Sequence, residues 1–497
     1  MRNLSKSKII AFRQCPKRLW LEIHQPELCD NSASEMVFQI GHEVGEMARD
    51  IHDPHHTGTT ISIAELGHSG ALARSADLLV EGKAPIFEAG VASNGAIAYA
   101  DVMLPDHTDG TLRWKMIEVK SSTSVKDYYR EDIAIQSYIA TSAGVRLSSV
   151  SIAHVDSSFV YQGNGDYRGL LKENDLTEEA LGRSGEVQEW IADAHAVAAL
   201  KAEPQTPTGL HCSKPFNCGF SNYCNRTKVR AQYPISTLPK LSKPQRTQFE
   251  AMGSDDLRDI DDHLLSPIQQ RVKKCAASGE TYFDAEGAAA DLAPHRFPAY
   301  FLDFETVAPA VPRWNDTSPY QKIPFQFSLH VLEENGTFRH HGFLDLSGND
   351  PSRACAQSLM DLCGVDGPVF AYNASFECSV MSKLASRFPE FATALESIIS
   401  RVVDLLPIAR EHYYHPSQHG SWSIKHVLPA AVPELSYDQL DGVQNGSLAI
   451  AAYMEAIHPE TTTDKKQQLE EQLNAYCKLD TWAMVRLWQF FTGADLP

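Results

Sequence analysis

The chain has 497 residues, 43% hydrophobic and 22% charged, with a formal net charge of -19; that length exceeds what one hydrophobic core organises, so two or three domains are expected. The acidic balance argues against a general polyanion binder, and no apolar run approaches the ~18 residues that a membrane span needs. The opening MRNLSKSKIIAFRQCPKRLW lacks an apolar signal core and a cleavage site, so a cytoplasmic location with no membrane partner is expected.

The chain reads as helical to about residue 50, and this part holds a basic stretch: Lys6, Lys8, Arg13, Lys17 and Arg18 lie between Arg2 and Trp20 with no acid among them. APIFEAGV, GAIAYADVML and LRWKMIEVKSS are strand-like, the last two joined by the turn-forming PDHTDG. VKDYYREDIAIQSYIATSAG carries apolar residues at helical spacing and stops at glycine. SSVSIAHVDSSFVY returns to strand, and TEEALGRSGEVQEWIADAHAVAAL reads as one helix. Residues 1–230 are therefore expected to form an α/β domain with a mainly antiparallel or mixed sheet.

A second basic stretch, with Lys214, Arg226, Lys228, Arg230, Lys240, Lys243 and Arg246, runs from Ser213 to Phe249. Either stretch offers a place for a phosphate backbone, and either reads as well as a solvated basic face. Residues 231–297 place prolines before short helical patterns; LPKLSKPQRTQFEAMGSDDLRDI has the rhythm of a helical hairpin, which predicts a small helical connector. From residue 298 to 497 the order is a strand, AYFLDFET, a hairpin around Glu-Asn-Gly in PFQFSLHVLEENGTFRHHGFLDL, a strand and helix in PVFAYNASFECSVMSKLASRF, and a long amphipathic helix to the end. This predicts a second α/β domain, a mixed sheet flanked by helices.

Glu118 and Lys120 stand two apart on a strand and share a face, and Asp101 is expected at the end of the neighbouring strand. An isolated Glu-x-Lys is most often an exposed ion pair, but this run is apolar on both sides. Two carboxylates beside a lysine can hold a divalent metal that lowers the pKa of bound water, while the lysine orients the water or neutralises developing charge. Gln136, on the next helix, can hold the nucleophile or a substrate phosphate. AYADVML, MIEVKSS and DIAIQSY resemble the PD-(D/E)xK signature of RecB-family nucleases. The resemblance implies that Asp101 and Glu118 bind Mg or Mn, that Lys120 is the motif lysine and that Gln136 is its helical glutamine. Tyr138 and His42 stand off the family's tyrosine and histidine positions, so neither receives a role.

Of ten cysteines, Cys29, Cys275, Cys355, Cys363, Cys378 and Cys477 are scattered and read as small buried hydrophobes. Cys212, Cys218 and Cys224 cluster in HCSKPFNCGFSNYC, with Cys15 far upstream. The spacing leaves an iron-sulfur cluster, zinc and plain buried thiols open. One cysteine before a nuclease fold and three after it is similar to CRISPR-associated RecB-like exonucleases and AddB, which implies a 4Fe-4S cluster held by Cys15, Cys212, Cys218 and Cys224.

Asp303 and Glu305 share one face of the strand AYFLDFET, and their repulsion needs a cancelling charge, for which a divalent cation is the obvious candidate. Glu377 stands at a strand-to-helix junction, and Tyr476 and Asp480 lie at i and i+4 of one helix. Taken singly, each reads more readily as packing or surface. FLDFET, YNASFE and YCKLD resemble the three motifs of DnaQ-like 3′–5′ exonucleases of the DEDDy type, which have an RNase H fold. The resemblance implies that Asp303, Glu305, Glu377 and Asp480 bind two Mg or Mn ions and that Tyr476 orients the attacking water. Glu377 replaces the family's usual Asp, and Asp404 in VVDLLPIAR is its rival, although it looks like a structural residue of the family.

Taken together, the chain resembles RecB-like nucleases in which an iron-sulfur nuclease is joined to a DnaQ-like exonuclease. The expectation is a two-site, metal-dependent DNA nuclease acting exonucleolytically on single strands, in repair, recombination or defence against phage. A nucleic-acid-binding scaffold with one or both sites inactive, and an RNA exonuclease, are the alternatives.

Overall fold

The computed structural model describes residues 3–30, 35–108, 110–226 and 231–494. The chain divides into two compact units, Met1–Lys228 with Pro309–Gln321, and Val229–Ala308 with Lys322–Pro497. Residues 231–297 thus cluster with the C-terminal unit, and a short segment near the start of residues 298–497 clusters with the N-terminal one.

In the N-terminal unit β1 (Leu4–Ser5) leads into α1 (Lys6–Gln14) and α2 (Pro16–His24), followed by α3 (Glu35–His52), β2 (Thr59–Thr60) and α4 (Ile63–Glu81). Then come β3 (Ile86–Ser93), β4 (Ala96–Asp106), β5 (Arg113–Lys120), α5 (Asp127–Ser142), β6 (Leu147–Val155), β7 (Leu171–Asp175), α6 (Thr177–Gly182), α7 (Ser184–Ala198) and the short α8 (Ser221–Asn225). The sheet order is β2-β3-β4-β5-β6-β7, with β1 beside β4. β5 and β6 are parallel, and α5 makes the crossover between them; the pairs on either side are antiparallel, so the sheet is mixed.

Every residue of α5 from Asp132 to Ala140 is buried, which a surface helix of this polarity would not tolerate unless its acids and amides found partners. Ile135, Ile139, Val150, Ile152 and Trp190 join one core with this helix. Two elements are shorter than expected. The helix predicted from Thr177 onward breaks at Arg183, where Gly182, Ser184 and Gly185 lower helix propensity. The strand predicted to reach Tyr161 ends at Val155, because the Asp156 carboxylate accepts from the backbone N–H of Ser158 and closes a turn. Residues 309–321 complete the unit: Ala310 and Val311 are buried with Val44, Val155 and Leu170, and the Tyr320 hydroxyl donates to the Ser121 carbonyl.

The C-terminal unit begins with α9 (Lys243–Ala251), α10 (Pro267–Ser278), β8 (Tyr282–Phe283) and α11 (Ala285–Leu292). The expected second arm of the helical hairpin is only a 3-10 turn at Leu257–Asp259, because the Asp256 side chain bonds the Arg258 N–H and competes with helix formation. β9 (Ala299–Val307), β10 (Ile323–Leu332) and β11 (Phe338–Leu344) follow, then α12 (Ser352–Leu362), β12 (Val369–Ala371), α13 (Ser375–Arg387), α14 (Ala392–Ser400), β13 (Val402–Asp404) and α15 (Leu405–His412). After β14 (Tyr413–Tyr414), which pairs with β8, come α16 (Ile424–Ala431), α17 (Gly446–Ala456) and α18 (Thr463–Thr492).

The five-stranded sheet runs β11-β10-β9-β12-β13, antiparallel at the hairpin side and parallel from β9 onward. β10 is buried along its whole length, as a strand covered on both faces must be. α18 is capped by Thr462 at its start and by the left-handed Gly493 at its end. A polar seam sets its register: Thr481 Oγ1 bonds Ser328 Oγ at 2.6 Å and His330 Nδ1 at 2.8 Å, and Gln326 donates to the Leu473 carbonyl.

Thr481→Val keeps the shape of the residue and strands Ser328 and His330, both buried, without that partner. It is expected to destabilise the protein by about 1–3 kcal/mol, measured by urea unfolding. A loss below about 0.5 kcal/mol would mean that packing alone holds α18.

Candidate active sites

In the N-terminal unit the site forms where β3 and β4 skip one pair and the pairing of β4 with β5 ends. Phe87 faces Val102 and Ala89 faces Ala100, which sets Glu88 opposite Asp101; Val102 faces Ile117, which sets Asp101 opposite Glu118. Glu88, Asp101 and Glu118 thus form a row across β3, β4 and β5. The ladder is interrupted along this row. Glu88 has a left-handed backbone, φ 56°, and the Asp101 carboxylate accepts the Val119 N–H at 2.7 Å in place of a strand carbonyl. Asp101 lies inside β4, not at its end, because the strand continues to Asp106.

Glu118 is 2% exposed. Its Oε1 accepts from Lys120 at 2.6 Å and from Lys6 at 2.7 Å, and its Oε2 accepts from Gln136 at 2.7 Å. Both lysines also meet Asp132, at 2.7 Å from Lys120 and 3.2 Å from Lys6. All four residues proposed from the sequence therefore come together, and Lys6, Asp132 and Glu88 join them. Asp132 lies four residues before Gln136 on α5, a face-sharing spacing that could have been noticed; Lys6 carried no such signal.

Burial raises Asp101, and the Glu118 charge adds to it, to a pKa of about 8. Burial pushes Glu118 up as well, but the ammoniums of Lys120 and Lys6 outweigh it and hold that carboxyl below its ordinary range. Burial opposes the charge on Lys120, yet Asp132 and Glu118 raise it well above the usual lysine value. Lys120 is thus an ammonium suited to orienting and neutralising, not a proton acceptor. The Gln136 Oε1 is buried with no hydrogen-bond partner, an acceptor available to a water or a substrate group.

Cys15 stands at the junction of α1 and α2, Cys212 ends a 3-10 turn and Cys224 lies in α8; with Cys218 they line one small pocket together with Lys17, Arg18 and His211. Burial raises the thiols of Cys218 and Cys224. The first basic stretch is not a free cationic face. Lys6 serves Glu118 and Asp132, Lys8 and Arg18 pair with Glu22, Arg13 with Glu131, and Lys17 with Glu203. Arg2, Lys228 and Arg230 lie outside the described residues, and Arg226 stacks over Tyr223 at 3.4 Å. Tyr138 is structural, its hydroxyl accepting from Asn94 at 3.0 Å.

In the C-terminal unit Asp303 and Glu305 project from β9, and the β10 ladder slips by one residue opposite Glu305 and Thr306. One carboxylate oxygen from each of Asp303, Glu305 and Asp480 lies within 4.8 Å of the other two. Tyr437 O–H donates to Asp480 Oδ1 at 2.6 Å, and Tyr476 also bonds that carboxylate. Gly446, the first residue of α17, lies close enough that a Cβ there would be 3.7 Å from Glu305 Oε2, so the positive end of that helix abuts the acids. Glu377 stands outside the 4.8 Å group, but its charge acts on Asp303 and Glu305. It is 2% exposed, and its Oε2 has no hydrogen-bond partner. Asp404, its rival, is occupied as a cap, accepting from the Asn373 and Leu406 N–H groups at 2.9 Å each.

Burial, then the charges of Asp480, Glu305 and Glu377, raise Asp303 well above the carboxylate range. Burial and Asp480 lift Glu305 to about 8, and burial lifts Glu377 to about 7. Burial also raises Asp480, to about 6, with the Tyr437 and Tyr476 hydrogen bonds restraining the shift. An all-oxygen donor set that is half-buried and mutually repelling, with the orphaned Glu377 oxygen outside the group, fits hard divalent cations such as Mg or Mn. Tyr437 and the nearby Lys425, whose charge lowers Asp303, Glu305 and Asp480, were not anticipated from the sequence.

These raised values give a signed prediction. Glu305 holds its proton in the folded state up to about pH 8, whereas its unfolded value is 4.5. Unfolding then releases protons between those values, so in EDTA the melting temperature should fall as pH rises through that window. Mn should restore stability most at the upper end, and Asp303→Asn should stabilise the EDTA-treated protein at pH 8 by at least about 1 kcal/mol. A melting-temperature difference between wild type and variant that does not change with pH would contradict the crowding.

No helix among the described residues is long and apolar enough to cross a membrane. No curated protein matches the chain. A family profile described as a domain of unknown function (DUF2779) matches residues 300–423, a span that contains Asp303, Glu305 and Glu377 and ends before Asp480.

Proposed function

We propose that the protein is a metal-dependent nuclease that hydrolyses phosphodiester bonds of DNA at two sites. The C-terminal unit is a DnaQ-like 3′–5′ exonuclease of RNase H fold, acting on single strands; the N-terminal unit is a RecB-like PD-(D/E)xK nuclease. The observation that carries this reading is the convergence of Asp303, Glu305 and Asp480, with the orphaned Glu377 oxygen nearby, in a pocket where they cannot all ionise unaided.

Divalent cations bound there would lower the pKa of water and offset charge on the pentacoordinate phosphate. Asp303, Glu305, Glu377 and Asp480 would hold them, while Tyr476, beside Asp480, orients the attacking water. In the N-terminal unit Asp101 and Glu118 would be the metal-binding acids, Gln136 offers its Oε1 to water or substrate, and Lys120 supplies positive charge. Cys15, Cys212, Cys218 and Cys224 fit a 4Fe-4S cluster, the four thiols facing one cavity beside Lys17 and Arg18, whose charge would balance an anionic cluster. The cluster would staple the N-terminal helices to the segment that follows the sheet.

One observation favours a second reading for the N-terminal unit, as a nucleic-acid-binding scaffold. Lys6 and Lys120 already neutralise Glu118 and Asp132 without a metal.

End-labelled single- and double-stranded DNA and RNA, incubated with and without Mn, separate these readings. Asp303→Asn and Lys120→Ala should each abolish one activity, by at least about 100-fold, and leave the other. Unchanged cleavage by the double variant would reject both assignments, and cleavage lost only with Asp303→Asn would leave the N-terminal unit a scaffold. Protein purified without oxygen should be brown, absorbing at roughly 400 nm, and Cys212→Ser should lower its iron content; colourless protein carrying zinc would overturn the cluster.

A further inference from the structure

Lys425 is exposed at the first turn of α16, and its ammonium nitrogen lies 5.3 Å from the ring centre of Tyr437 and 5.7 Å from that of Tyr476, the two tyrosines that hold Asp480. Its one hydrogen bond among the described residues is a long one, 3.3 Å to the Gln444 carbonyl, and it forms no ion pair among them. A lysine beside a group of carboxylates would ordinarily collapse onto one of them, as Lys6 and Lys120 do in the N-terminal unit. Here two aromatic faces keep the ammonium at the rim of the pocket, charged and within Coulomb range of Asp303, Glu305 and Asp480.

The charge count of the pocket gives this placement a use. Two divalent cations would cancel the four carboxylates and no more. The phosphodiester brings one further negative charge, which becomes two when the attacking water has passed a proton to solvent and its oxygen adds to form the pentacoordinate arrangement. A fixed cation at the rim, open to solvent and not consumed by an internal ion pair, is what that extra charge lacks. Building on the exonuclease reading, we propose that Lys425 is a substrate-contacting residue that binds a non-bridging oxygen of the scissile phosphate and stabilises the charge that develops there.

The test uses the full chain and a 5′-fluorescein single-stranded 12-mer DNA with Mn. Lys425→Ala should lower kcat by about 10- to 100-fold, with KM changed less. Mn affinity by titration calorimetry should not fall by enough to account for that defect, because Lys425 contacts substrate and acts on the ion-binding acids only through its charge. Lys425→Arg should recover part of the loss, since it returns the charge. Hydrolysis by Lys425→Ala within about 2-fold of wild type, a loss of Mn affinity that accounts for the defect, or an arginine variant no better than alanine would each overturn the assignment. Asp303→Asn separates this from the reading beneath it. If that variant is inactive while Lys425→Ala is not, only the Lys425 role falls; if wild type is inert toward the 12-mer, or Asp303→Asn matches it, both fall.

Discussion

Carboxylates gathered within 4.8 Å of one another in a half-buried pocket cannot all carry charge unless something cancels it, and the C-terminal unit is organised around that condition. Two unit charges ~4 Å apart repel by about 4 kcal/mol at the effective dielectric of a protein surface, and more where water is excluded. Asp303, Glu305 and Asp480 therefore do not attract one another into place; the packing around them holds them there. β10, buried along its length, anchors β9, and the Ser328–Thr481–His330 seam fixes α18 one residue away from Asp480. Stability of the fold is thus spent to maintain an arrangement that is unfavourable until a proton or a cation enters it.

The N-terminal unit meets the same electrostatic problem in a different way. Glu118 and Asp132 are bridged by two lysines, one from the strand that carries Glu118 and one from the first helix. Removing either ammonium would leave a buried carboxylate short of its partner, which costs more than the ion pair itself contributes. Asp101 is the member left outside this square, bound to a backbone N–H and raised by burial. The two pockets thus differ: in one the chain itself supplies the cancelling charge, and in the other no ammonium among the described residues is paired with the acids. Lys425 lies between these extremes, a cation held near its acids by tyrosine rings but not joined to them.

The same contrast explains why a net charge of -19 says little about either pocket. The lysines and arginines of the first basic stretch are used up internally, each against an acid distant in sequence or one helical turn away. Lys17 and Arg18 serve a second purpose, placing positive charge beside four cysteine thiols. A run of cations without neighbouring acids in sequence is not a free surface once the fold has brought acids to it.

Local physics made much legible in the sequence. Strand-like runs located β3, β4 and β5, the Glu-Asn-Gly turn located the hairpin of β10 and β11, and apolar spacing located α5 and α18. Spacing rules also put Glu118 with Lys120, Asp303 with Glu305, and Tyr476 with Asp480 on common faces, because residues two apart on a strand and four apart on a helix must share one. What required the tertiary structure was every partner supplied from a distant element. Lys6 reaches Glu118 across 112 positions, Tyr437 reaches Asp480 across 43, Asp404 proves to be a cap, and residues 309–321 belong with the N-terminal core. Backbone periodicity dictates which way a side chain points from its own element; only the packing of elements against one another decides what it meets there.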